Sequence, residues 1–165
     1  MPKIIFFLIV ILLASSCKEA VTETENVQES QWDVTDSLPN KVRVDSKAQT
    51  ILNDWKDFMA LESSFDKIYT AENREDLFLI VDELVENQKK MEVGIYPAVF
   101  DIPQIKGRQK VFKTYILKTK GDLEYRQDPK ESLVEMITAF NDLRNQFNVV
   151  VNNTLPDELR ANEEN

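Results

Sequence analysis

Apolar residues fall along this chain in three regimes. Ile4 to Leu13 is an unbroken apolar run of ten residues. From Lys18 to Asp45 apolar side chains are sparse and keep no sustained period. From Ser46 to Val151 they recur every three or four positions, the spacing that lines one face of an α-helix. Four such segments are legible. Ser46 to Thr70 carries Ile51, Trp55, Phe58, Phe65 and Tyr69 on one stripe. The second starts at Asn73, a capping residue with Asp76 three positions later, and runs through Leu77, Ile80, Val81, Leu84, Gln88 and Met91 until Gly94 and Pro97 end it. The third takes Asp101 as its cap and aligns Ile105, Phe112, Ile116, Thr119 and Leu123. The fourth has the strongest start signal, with Asp128 as cap, Pro129 at the first helical position and Glu131 behind it. Its stripe is Leu133, Met136, Ile137, Phe140, Leu143, Phe147 and Val151.

No stretch after the leader alternates long enough to make a sheet, and the whole chain holds three glycines. Four helices of about 22 to 25 residues on short links predict an all-α fold, an antiparallel up-down four-helix bundle. A three-helix core with one loose helix is the alternative arrangement. The bundle covers 46–151, with a polar tail at 152–165.

The leader has the layout of an export signal: Lys3, the apolar run, then the small residues Ala14-Ser15-Ser16 before Cys17. Ten apolar residues fall short of the about 20 a bilayer span requires. Leu13-Ala14-Ser15-Ser16-Cys17 resembles the lipobox of bacterial lipoproteins. That resemblance implies cleavage after residue 16, acylation of Cys17 as the lipid attachment residue, and anchoring to the lipid bilayer. Cys17 is the only cysteine, so it has no disulfide partner within the protein. Lys18-Glu19 follows it, without the aspartate that favours inner-membrane retention in enteric bacteria, which points to the outer membrane. Residues 17–45 then read as a lipidated cysteine on a flexible acidic linker, long enough to average roughly 30 Å end to end. Trp32, Val34 and Leu38 are its apolar exceptions. The whole resembles the small helical lipoproteins of Bacteroidota, a likeness that implies an envelope setting and no mechanism.

Charge and chemistry narrow the reading further. Without Lys3 of the leader the protein has 19 basic and 29 acidic residues, a net charge of −10. That acidity argues against nucleic acid as a partner, because such binding neutralises phosphates. There is no histidine, which removes the usual general base, the commonest metal ligand and the axial haem ligand. No metal or other cofactor is expected, and no catalytic residue is assigned. Paired carboxylates at Glu83 with Glu86, and at Glu72 with Glu75 and Asp76, fall on the polar side of the second helix. The basic run Lys106, Arg108, Lys110, Lys113, Lys118 and Lys120 pairs with the acid-rich second helix, or else forms a patch for anionic lipid or polysaccharide.

Polar residues on apolar stripes are the informative exceptions. Glu62 lies on the first stripe, Gln88 interrupts the second, and Arg108 stands one turn before Phe112 on the third. At about 1.5 Å per residue, Gln88, Arg108 and Asn145 share a layer near one end, with Glu62 further along and level with Thr119. Asn141, Asn145, Asn148 and Asn152 form a stripe flanking the fourth apolar face. The expectation is a binding mouth of Gln88, Arg108 and Asn145 for an anionic group, against the alternative of a satisfied buried network that sets helix register. The functional expectation is a non-catalytic envelope lipoprotein whose bundle binds an envelope protein or component. A small-ligand sensor or carrier comes second and an enzyme third.

Overall fold

The computed structural model describes residues 34, 35 and 37–153. The leader, Cys17, Trp32 and the tail from residue 154 lie outside the described residues. Among the described residues the protein is all-helical, with five α-helices, one 3-10 turn and no strand. We label the helices α1 (Ser46–Asp54), α2 (Lys56–Asp66), α3 (Arg74–Val93), α4 (Pro103–Glu124) and α5 (Lys130–Asn152), the 3-10 turn Lys67–Thr70 following α2. None of them is long and apolar enough to cross a membrane.

The periodicity of Ser46–Thr70 predicts one helix, and the structure breaks it into three pieces. At Trp55 the backbone leaves the helical region (φ −90°, ψ 90°) and its N–H bonds to Leu52 O, closing α1 with a tight turn. Neither proline nor glycine is present at the break. Asn53 and Asp54 are weak helix formers just before it. The gain is in packing, since the redirected indole lies 4.9 Å from Tyr96 and 5.8 Å from Phe58, with Phe100 and Phe147 beyond. Aromatic burial outweighs the intrahelical hydrogen bonds lost there.

Helix starts follow local chemistry more closely. Asn73 Oδ1 accepts from Asp76 N (2.8 Å), and the Asp76 carboxylate accepts from Glu72 N (3.1 Å). Asp128 Oδ1 accepts from Lys130 N (3.0 Å), although α5 begins at Lys130 with Pro129 in the cap position, one residue later than Asp128 as cap predicts. Asp101 departs from expectation: α4 begins at Pro103 after an extended Ile102 that supplies no capping hydrogen bond, and Asp101 instead pairs with Lys106 at 2.5 Å. Proline at the first helical position removes one donor that a cap would have served, and it forces the preceding residue to be extended.

In the core, α2 packs on α3, α3 on α4 and α4 on α5. The first and last of these, α2 and α5, meet through long side groups and not backbone to backbone. Phe65 stacks on Phe140 at 3.9 Å, and Phe58 touches Phe140 and Phe147. Between α2 and α5 runs an extended strap, residues 38–45, assigned from composition to the flexible linker. Leu38 packs against the core and Val44 is buried within it, as is Val34 upstream.

Candidate functional site

The link between α3 and α4 borders two hollows in the surface of the domain. Gly94 ends α3 where a Cβ would overlap an Asp57 carboxylate oxygen, so the close approach of the two segments suits glycine. Phe100 N and Asp101 N both bond to Pro97 O, folding the link so that Phe100 enters the core. Tyr96 lies against Trp55 and its hydroxyl donates to Gln109 Oε1. Burial holds the Tyr96 phenol above its usual range, against the opposing effect of the Gln109 bond.

Beneath the link lies a cleft of about 530 Å³, walled by Gln88 and Glu92 of α3, Ile95 and Tyr96 of the link, and Lys106, Gln109 and Lys110 of α4. Gln88 is 1% exposed and Gln109 2%. Gln88 Nε2, Gln88 Oε1 and Gln109 Nε2 are buried without a hydrogen-bond partner among the described residues. An amide left so costs about 1–3 kcal/mol, so these three atoms on one wall are the groups that water or a ligand in the cleft would satisfy. The charges on this wall are largely internal pairs, Lys106 with Asp101 and Glu92 with Lys113, both at 2.5 Å. A second hollow of about 420 Å³ lies across Ile95 and Tyr96, lined by Ile51, Trp55 and Pro97 among others. Trp55 Nε1 is also buried without a partner. Val93, Ile95 and Val99 are exposed around this link, Ile95 at 90%.

Of the three residues expected to form a mouth, Gln88 lines the cleft and the other two do not. Arg108 is exposed and turns to Asp142 of α5, 3.2 Å away. Asn145 is exposed on α5. One residue further along α4, Gln109 and not Arg108 faces the cleft, which replaces a cation by a neutral amide. The two lie about 100° apart on the helix, a margin that sequence heights cannot resolve.

The other three asparagines of the α5 stripe hold the strap. Asn141 Oδ1 accepts from Val42 N (2.8 Å) and its Nδ2 donates to Asn40 O (2.9 Å). Asn148 repeats the pattern, accepting from Asp45 N (2.8 Å) and donating to Arg43 O (3.1 Å). Asn152 Nδ2 donates to the Asp45 carboxylate. The Asn141 and Asn148 carboxamides each satisfy a backbone N–H and a backbone carbonyl two residues apart, as a neighbouring β-strand would. On the α2 side, Tyr69 donates to Pro39 O (2.8 Å) and Lys41 pairs with Asp66 (2.6 Å).

At the strap's centre Arg144 forms a buried ion pair with Glu62 and donates from Nε to Val42 O (2.7 Å). The Arg144 and Glu62 side groups are 5% and 11% exposed, and Lys41 approaches the same Glu62 oxygen at 3.4 Å. Glu62 stood out in the sequence as a charge on an apolar stripe. Its partner was missed, although Arg144 lies four residues after Phe140 and seven before Val151, on the stripe itself. Tyr69, beside this network, is held above the usual phenol range first by burial and then by Asp66, with Arg144 opposing.

The basic run of α4 divides between its neighbours. Lys120 pairs with Asp82 and Lys113 with Glu92 of α3, whereas Lys118 pairs with Glu135 and Arg108 with Asp142 of α5. The Lys118 and Lys120 ammonium groups are pushed up chiefly by the hydrogen bonds to their carboxylate partners, though both are solvated. Among the described residues no group of three His, Cys, Asp or Glu residues is placed to hold a metal ion. Neither protein-family models nor curated proteins nor solved structures yield a match to this protein.

Proposed function

We propose that this protein is a lipid-anchored, non-catalytic binding protein of the bacterial cell envelope. Acylated Cys17 holds it on the outer membrane, the linker spaces it, and the helical domain engages an envelope partner protein at the end bearing the 94–102 link. The fold is read as an up-down four-helix bundle whose first arm is broken at Trp55. The observation that carries the binding reading is the cleft wall of unpartnered Gln88 and Gln109 atoms. Exposed Ile95 at its edge, with Val93 and Val99 exposed close by in sequence, supplies apolar surface that a protein partner would cover.

Two further features support the reading. The strap joins the end of the linker to the core through Asn141, Arg144 and Asn148, so force on the anchor reaches the packed helices before it can fray α1. Three of the five candidate acid–base carboxylates are engaged elsewhere: Glu83 with Lys67, Glu86 with Lys89, and Asp76 with the α3 cap. A small-ligand carrier is the second reading, favoured by a cleft volume inside the roughly 300–1,000 Å³ range of ligand pockets.

The test has two arms in intact cells. Cys17→Ser is expected to move the protein from the detergent phase to the aqueous phase. A photo-crosslinking residue at Ile95 is expected to trap a discrete protein adduct that the same group at exposed Leu79 does not. Persistence of Cys17→Ser on the membrane sinks the anchor, and identical adduct patterns at the two positions sink the binding face.

A further inference from the structure

We infer that the cleft between α3 and α4 takes the backbone of an extended, uncharged peptide segment of the partner protein, read through Gln88 and Gln109. The inference rests on the partner-binding reading above and adds the chemical class of what enters the cleft.

The hydrogen-bond inventory of the wall specifies the occupant. Gln88 presents both a free donor and a free acceptor, whereas Gln109 has given its oxygen to the Tyr96 hydroxyl and keeps a free donor. The complement is two acceptors and one donor. Successive peptide groups supply that set as C=O, N–H and C=O. A phosphate or carboxylate would set its lone pairs against Gln88 Oε1; of the two lysines of the lining, Lys106 is already paired with Asp101 and Lys110 is solvated at the rim. A cation would meet the two amide donors. The buried unmatched groups are neutral and fit a neutral ligand, while Lys110, the one charge of the lining without an ion pair among the described residues, stays exposed at the rim.

The domain already holds an extended segment by this means. Asn141 and Asn148 each take one backbone N–H and one backbone carbonyl of the strap, and Gln88 carries the same pair of atoms with neither used. The surroundings suit a strand as well. Exposed Ile95 stands at the mouth, and the hollow beside Ile51 and Trp55 shares Ile95 and Tyr96 with it. Residues two apart on a strand would meet these apolar surfaces while its backbone faced the glutamines. Trp55 is itself buried and offers no open ring face for stacking a sugar.

The test uses the otherwise complete protein with Cys17→Ser, the carboxamide signals of Gln88 and Gln109 being followed by NMR. Probes are acetyl-trialanine methylamide, N-acetylglucosamine and inorganic phosphate. The capped peptide is expected to move both glutamine signals saturably, with half-saturation near about 1 mM for so small a ligand. Gln88→Met should weaken this about tenfold and also raise the melting temperature, because it deletes two unsatisfied buried atoms. Gln109→Leu carries the same expectation for binding, so the test does not depend on one variant folding. Silent glutamine signals, an equal response to phosphate, or an equal response to the sugar would each overturn the inference. So would a Gln88→Met variant that melts lower yet binds the peptide normally. A partner trapped at Ile95 beside silent glutamines overturns the peptide class alone, whereas loss of both removes partner binding itself.

Discussion

The buried pair Glu62–Arg144 gives the sharpest quantitative expectation. Replacing Arg144 by Met keeps most of the volume over Phe140 but removes the guanidinium. Glu62 then keeps only Lys41, 3.4 Å away, at a site where the carboxylate arm is 11% exposed. Val42 O loses its bond to Nε as well. Stranding one member of a buried pair costs about 3–5 kcal/mol, and Arg144→Met is expected within that range. Glu62→Leu should cost about the same, since it leaves the guanidinium with one carbonyl and no counter-charge. The double variant removes both charges, and its residual cost is the Val42 and Lys41 contacts, about 1–2 kcal/mol. It should therefore be more stable than either single variant, far from the sum of the two. Urea unfolding of the Cys17→Ser protein, followed by circular dichroism, measures all four corners of the cycle. Single variants within about 1 kcal/mol of the parent, or a double variant equal to their sum, would show that the pair is solvated and the reasoning wrong.

Three other outcomes are expected. Asn141→Ala and Asn148→Ala should each destabilise by about 1–2 kcal/mol and speed hydrogen exchange at the Val42 and Asp45 amides, whereas Asn145→Ala should stay within about 0.5 kcal/mol and leave both amides protected. Arg126 closes α4 in the left-handed region (φ 55°), with Gln127 N bonded to Asp122 O and Arg126 N to Leu123 O. Arg126→Gly should stabilise by about 0.5–1 kcal/mol, read as a higher urea midpoint at unchanged slope. Tyr69 and Tyr96 titrate above the usual 10.0 in the folded state, so their contribution is complete below that pH and is lost as pH rises through the folded values. Tyr69→Phe should flatten the alkaline fall in stability; an unchanged pH profile would remove Tyr69 from the account.

Helix positions were legible because each long helix advertises itself locally. Asn73 and the Asp128-Pro129 pair mark starts, Gly94 marks an end, and the apolar stripes name most of the core. The break at Trp55 was not legible, because its stripe stays in phase across the break and the competing energy comes from three rings distant in sequence, Tyr96, Phe100 and Phe147. Glu62 and Gln88 were visible as polar intruders on apolar faces, but what each meets is a three-dimensional matter. Arg144 lies 82 residues from Glu62, and Gln109 faces the cleft only because α4 is rotated so that Arg108 reaches Asp142.

Sequence alone settles what depends on near neighbours: helical class, most helix ends, the absence of histidine and a lone cysteine behind a ten-residue apolar run. Those follow from periodicity, capping and composition, which act within a few residues. Tertiary structure alone decided that a polar stretch with little intrinsic order becomes a strap wedged between α2 and α5. Its own residues carry no periodic signal, and the donors and acceptors that order it lie about a hundred positions away on α5. The same holds for the cleft: two glutamines on separate helices become a site because packing buries both and satisfies only one of their four polar atoms.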